Sequence, residues 1–267
     1  MHIEPPPVSL FLFPHQDDEF GVFFQIEREQ AAGRSVYCVY VTDGSNTADP
    51  HRRNAESRAV LEKLGVPADN IIFLGSKLQI SDGQLHTQVK KFLRWFGSFF
   101  DAYPSVHACF IPAWEGGHPD HDMLHAATVK LLGWRNQLDI ARQYPLYNGY
   151  DCRSPLFRAL APLSENGAVE QAKLSLRQRL RYLRFCLAYP SQWKSWIGLF
   201  PFVCWRYLID GKQYLQRPSI DRITQPPHPG TLYYERRSLL DWEAMQDAVS
   251  RISENIGAER DESQTKL

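Results

Sequence analysis

The sequence predicts an α/β fold, a doubly wound and mostly parallel sheet with helices on both faces and an elaborated C-terminal third. Three observations carry this. Short apolar runs alternate with helix-compatible segments through the first half of the chain. Those runs are nearly continuous in apolar residues rather than alternating, as strands buried on both faces must be. The 267 residues, 43% hydrophobic and 22% charged, match a soluble globular chain long enough for a sizeable core.

The elements follow in order. Val8 to Phe13 reads as the first strand, ended by Pro14, and Asp17 to Ala32 is helix-compatible up to Gly33. Ser35 to Val41 is β-branched and aromatic, and after a polar loop a helix is expected from Arg53 to Leu64, closed by Gly65 and Pro67. Asn70 to Leu74 is the third strand, Leu85 to Phe100 the third helix and His107 to Ile111 the fourth strand, followed by a helix over Asp122 to Leu132. This Rossmann-like half covers residues 1–143 of a single domain. Over 144–252 the alternation fades into an elaboration. It contains a helix from Lys173 to Ala188, an aromatic segment from Trp193 to Trp205, a proline-rich turn at Pro226, Pro227 and Pro229, and a strand-like TLYYE. The polar residues 253–267 are expected to be helical at first and then a flexible tail.

Composition excludes several functions. Thirty Lys and Arg balance thirty Asp and Glu, so no global field favours nucleic acid. Five widely spaced cysteines, three of them in apolar runs, point to free thiols and a cytoplasmic protein. The N-terminal MHIEPPPVSLFLF has no basic start and too short an apolar run for a signal or a span, and no transmembrane segment is expected later.

Pro14-His15-Gln16-Asp17-Asp18-Glu19 follows the first strand, and His118-Pro119-Asp120-His121-Asp122 follows the fourth. In a sheet of order 3-2-1-4 these strands are neighbours at the switch point, so the two clusters face each other at the carboxyl edge. Two or three His with a carboxylate and an open position make the ligand set of a catalytic zinc, and Fe2+, Co2+ or Mn2+ suit it as well. A neighbouring carboxylate that does not ligate is then free to take a proton from water, and an imidazole to stabilise an oxyanion. The bland reading of His15, Asp17 and Asp18 is an ordinary helix cap, and His121 with His125 is an i, i+4 pair that would bind metal without His118.

PHQDDE and HPDHD strongly resemble the two signature motifs of the LmbE-like, or PIG-L, zinc-dependent N-deacetylases, which remove acyl groups from N-acetylglucosamine-type sugars. The resemblance extends through VTDG, Arg53-x-x-Glu56 and, later, Tyr189-Pro190-Ser191-Gln192. It implies His15, Asp18 and His121 as metal ligands and Asp17 as general base. It further implies His118 as general acid or oxyanion stabiliser, with Asp120 orienting it. Arg53 falls at a substrate-binding position, although Arg52 and Arg58 leave that register open. Two places depart from the family pattern. Gln16 replaces the usual Pro, and Gly116 stands where some relatives carry a Tyr, so any phenolic contribution must come from elsewhere.

Aromatic residues suit stacking on sugar rings, so Trp193 and Trp196 are expected at the substrate. The alternative is a core-packed helix pair, or contact with a lipid-linked glycan or a membrane surface. Asp43 is as well explained by capping its loop, His125 by packing, and His228 by its proline-rich turn. The expected partner is an amino-sugar small molecule or glycoconjugate. An amidase on a thiol-sugar conjugate would use the same centre. A non-catalytic sugar- or nucleotide-binding module would need a G-x-G-x-x-G turn where PHQDDE stands.

Overall fold

A computed structural model of the chain describes residues 5–46, 48–153 and 156–264. Its elements begin with β1 (Val8–Phe13), α1 (Phe23–Ala31), β2 (Ser35–Tyr40), α2 (Pro50–Lys63), β3 (Ile71–Phe73), α3 (Leu74–Leu78) and α4 (Leu85–Ala102). They continue with β4 (Val106–Pro112), α5 (Pro119–Trp134), β5 (Ala141–Tyr144), β6 (Tyr147–Asn148), β7 (Arg158–Ala159), β8 (Val169–Lys173) and α6 (Leu176–Cys186). The last are α7 (Trp193–Trp205), a π-helical turn (Arg206–Asp210), β9 (Lys212–Gln216), α8 (Tyr233–Arg236) and α9 (Trp242–Gln264).

The main sheet has the order β3-β2-β1-β4-β5-β9-β8. Its first five strands are parallel, with Phe11 of β1 opposite Cys38 and Phe110. Strands β9 and β8 then run antiparallel and extend one edge. Each face is buried. Phe92 and Phe96 of α4, Leu124 of α5 and Met245 of α9 cover one side, while Phe23 of α1, Leu61 of α2, Tyr182 of α6 and Trp196 of α7 cover the other. That two-sided burial is why the parallel strands read as unbroken apolar runs.

Local chemistry sets the helix ends. Asp49 caps α2 by accepting from His51 N, with Pro50 at the first turn, so the helix starts earlier than Arg53. Ser175 and Gln178 close a capping box on α6. After α7 the chain widens into the π-turn and stops at Gly211, where φ is +61° and a Cβ would lie 2.0 Å from the Arg179 guanidinium.

TLYYE is not a strand. Tyr233–Arg236 form the helical turn α8, because Glu235 reaches back to accept from Leu232 N at 2.7 Å. Helix α9 continues to Gln264, and residues 265–267 of the expected tail lie outside the described residues. All five cysteines are free. Among the described residues no helix is long and apolar enough to cross a membrane.

Candidate active site

Strands β1 and β4 lie side by side, so both motifs leave the same sheet edge. After β1 the chain turns sharply at Asp17, which takes φ +105°, uncommon for a residue with a side chain. The Asp17 amide donates to Glu19 Oε2 at 2.9 Å, and Glu19 is itself buried against the Tyr40 hydroxyl. The turn therefore sends Asp17 and Asp18 in different directions. After β4, His118 caps α5 by accepting from Asp120 N at 3.2 Å, and Pro119 opens the helix. The second motif thus occupies the first turn of α5, earlier than Asp122. Asp122 turns back to accept from Glu115 N and Gly116 N at 3.1 Å.

Three donor atoms converge. His15 Nδ1, Asp18 Oδ2 and His121 Nε2 are each 3.3 Å from the other two. Bonds of about 2.0–2.1 Å at tetrahedral angles place ligand atoms about 3.3–3.4 Å apart, so the set fits one divalent ion of zinc's size. On the far side of the ring, His15 Nε2 lies 3.0 Å from Asp120 Oδ2 and 3.2 Å from Asp82 Oδ1. Those carboxylates accept a proton from Nε2, so Nδ1, which faces Asp18, is the ring atom that would bind an ion. His121 is oriented by packing, its ring 5.4 Å from that of Tyr147.

The electrostatics favour a cation there. Burial opposes charge on His15, yet Asp82, Asp120 and Asp18 raise its pKa well above the ordinary value. Burial also opposes ionisation of Asp18, and His121 and His15 nevertheless hold it well below the usual carboxylate range. Asp82 is held low in the same way by His15, against its own burial.

Asp17 and His118 differ from the three donors in being only partly buried. Burial pushes the Asp17 carboxyl well up, partly countered by Arg53, whose Nη2 lies 3.5 Å from Asp17 Oδ1. Burial and the nearby His15 hold His118 down to about 3. The donor atoms of His118, His15 and His121 lie within 4.8 Å of one another. Because its Nδ1 accepts a backbone N–H, a neutral His118 carries its proton on Nε2, so that atom donates rather than ligates.

Several expectations change. Asp120 holds His118 through its backbone N–H, while its carboxylate orients His15 and also accepts from Gly83 N and Leu85 N at 2.6 and 3.0 Å. Arg53 is only 2% exposed. It does not pair with Glu56, which Arg52 and Ser191 take, but donates to Gly44 O at 2.7 Å and Gln16 O at 2.8 Å and pairs with Asp82 at 3.3 Å. It braces the turn and Asp17. Trp196 is 5% exposed and packs on Phe20 and Tyr189, so it belongs to the core, whereas Trp193 is 56% exposed on α7. His125 is buried beside Trp114 with Nδ1 on Pro112 O at 2.9 Å, the packing role expected for it. His228 is buried, with Nδ1 on Pro229 O at 2.9 Å.

Three residues escaped the sequence reading. Asp82 follows α3 in a Ser-Asp-Gly turn, and only the loop's place at the carboxyl edge of the sheet hints at it. Tyr147 stands beside His121, and burial together with Asp18 and Asp17 raises its phenol well above the ordinary pKa. Glu115 is fully buried and accepts from Leu146 N at 2.6 Å and Tyr147 N at 3.0 Å, fixing the segment that presents Tyr147. Gly116, beside it, has φ +71° and no room for a side chain, since a Cβ would lie 2.9 Å from Leu232.

Residues 10–132 match the profile of the GlcNAc-PI de-N-acetylase family, PIG-L. No curated protein matches the chain. The fold is similar to teicoplanin deacetylase Orf2 in a zinc-inhibited form, at TM-score 0.56 and 16% identity over 79% of this chain and 99% of that one. N,N'-diacetylchitobiose deacetylase from Pyrococcus horikoshii gives 0.51 and 18% over 79% and 82%. The conserved protein TT1542 from Thermus thermophilus gives 0.53 and 20% over 79% and 93%.

Proposed function

We propose that this chain is a zinc-dependent N-deacetylase that hydrolyses the N-acetyl amide of an N-acetylglucosamine-type sugar or glycoconjugate. The observation that carries the reading is the buried His15, Asp18 and His121 triangle, flanked by the two partly exposed groups Asp17 and His118. The match to the PIG-L profile and the deacetylases of similar fold support it.

His15 Nδ1, Asp18 and His121 Nε2 would hold the ion, with Asp120 and Asp82 fixing the His15 tautomer. A bound divalent ion supplies Lewis acidity, easing deprotonation of water and polarising an amide carbonyl. Asp17 accepts the proton of the attacking water, and Arg53 steadies that carboxylate. His118 Nε2–H donates to the amide oxygen as it gains negative charge, a contact stronger in the transition state than in the ground state. Tyr147 supplies beside the same centre the phenol that Gly116 lacks. Fe2+, Co2+ and Mn2+ satisfy the same donors.

Amine release from free, nucleotide-linked and polymeric N-acetyl sugars tests the reading. Metal-dependent release from at least one class is expected. An enzyme loaded in turn with each of the four metals that released none would refute it.

A further inference from the structure

The inner side of α7 is core, formed by Trp196, Leu199 and Val203. Its outer side is apolar as well. At four-residue spacing Trp193, Ile197 (67% exposed), Pro201 and Trp205 (63%) form a ridge in the open, and Ile209 (64%) continues it on the π-turn. At 1.5 Å per residue the ridge is about 24 Å long. A solvated helix carries polar side chains on its outer side. Single exposed apolar residues need no explanation, whereas a continuous ridge marks an interaction surface.

Charge identifies what it meets. Residues 173–212 contain eight Lys and Arg and a single carboxylate, Asp210, in a chain whose thirty basic and thirty acidic residues balance as a whole. Asp210 is already paired with Arg206, and Arg181 with Glu27. Arg177 and Arg184 of α6 and Lys194 of α7 are exposed and have no ion pair among the described residues. Helix α6 is tied to the π-turn by Arg179, which donates to Leu208 O at 3.3 Å, so the basic helix and the ridge belong to neighbouring elements.

We propose that the outer face of α7 and the π-turn docks on an anionic lipid bilayer. Trp is favoured at the level of the lipid headgroups, and an apolar ridge edged by Lys and Arg lies along that interface. Each basic side chain near an anionic surface strengthens binding by about fivefold. A second copy of this chain suits the face poorly, because a two-fold contact would set the same basic residues against each other. The face is also linked to the active site. A run of ring contacts leads from Phe202 of α7 through Phe157 and Tyr147 to His121, with centroids 4.8, 6.0 and 5.4 Å apart.

Sedimentation with phosphatidylcholine vesicles, with and without phosphatidylglycerol, tests this. The wild-type chain is expected to pellet with the anionic vesicles and to be released by high salt, and brominated lipid is expected to quench its tryptophan fluorescence. Ile197→Glu with Trp205→Glu replaces exposed residues only, so circular dichroism and metal content stay unchanged while vesicle binding falls about tenfold or more. The proposal is overturned if the wild type pellets no better with anionic than with neutral vesicles, or if the double variant binds as the wild type does. A wild-type dimer that becomes monomeric in the variant, without vesicle binding, would assign the face to a second copy instead.

Discussion

His15 Nε2 lies 3.0 Å from Asp120 Oδ2, a contact between residues 105 positions apart that joins the two motifs directly. A carboxylate only accepts, so the contact keeps a ring proton on Nε2 and makes Nδ1, which faces Asp18, the atom that would ligate an ion. One residue of the second motif thereby orients the histidine of the first, and the ligand triangle depends on both loops being in register.

Removing that support should loosen the metal without abolishing the site. Asp120→Asn is expected to weaken metal affinity about 10- to 100-fold, measured by competition with a chromophoric chelator. Asp82→Asn should act in the same direction. Unchanged affinity in both variants would assign these carboxylates a purely structural role.

Direct ligands should behave differently. His15→Ala, Asp18→Ala and His121→Ala are each expected to lose the ion, with near-native circular dichroism, because these side chains sit beyond the strand ends. Elemental analysis reads the outcome. Full occupancy in all three would dismiss the triangle as the metal site.

Asp17→Asn should keep its metal and lose turnover, since an amide cannot take the proton of water. A fall in kcat of ~10²- to 10⁴-fold is expected, the range of general base catalysis. Near-normal kcat would move the base to another group.

Tyr147→Phe removes the phenol while keeping the ring on His121. If the phenol stabilises the developing oxyanion, kcat should drop by about 10²-fold with little change in KM. A change confined to KM would place Tyr147 in ground-state binding.

The two tryptophans separate core from surface. Trp196→Ala should cost about 3–5 kcal/mol in denaturant unfolding, as for a large buried aromatic. Trp193→Ala should shift stability by less than about 0.5 kcal/mol. Similar losses in both would mean that α7 buries the two alike.

The parallel core was legible because burial on both faces leaves an unmistakable apolar run, as in Val8–Phe13. The motifs were legible because strand adjacency turns distant residues into neighbours. What stayed hidden depended on direction. The segment WKSWIGLFPFVCW has almost no polar face, so its pattern gives no hint that Trp196 turns inward and Trp193 outward. The bracing place of Arg53 was hidden because its burial is arranged by carbonyls of two other loops, those of Gln16 and Gly44. Strand β8, with two of its five residues charged and four of them exposed, carried little apolar signal.

The backbone at Asp17 has an evolutionary consequence. With φ at +105°, the position suits glycine better than any residue with a Cβ. Asp17→Gly should therefore unfold at higher temperature than the wild type, by about 1 kcal/mol of relieved strain, and yet have no turnover. Random drift toward greater stability would erase the base first, so the aspartate persists only under continuous selection for the reaction. A lineage released from that selection should lose Asp17 before it loses the ligand triangle.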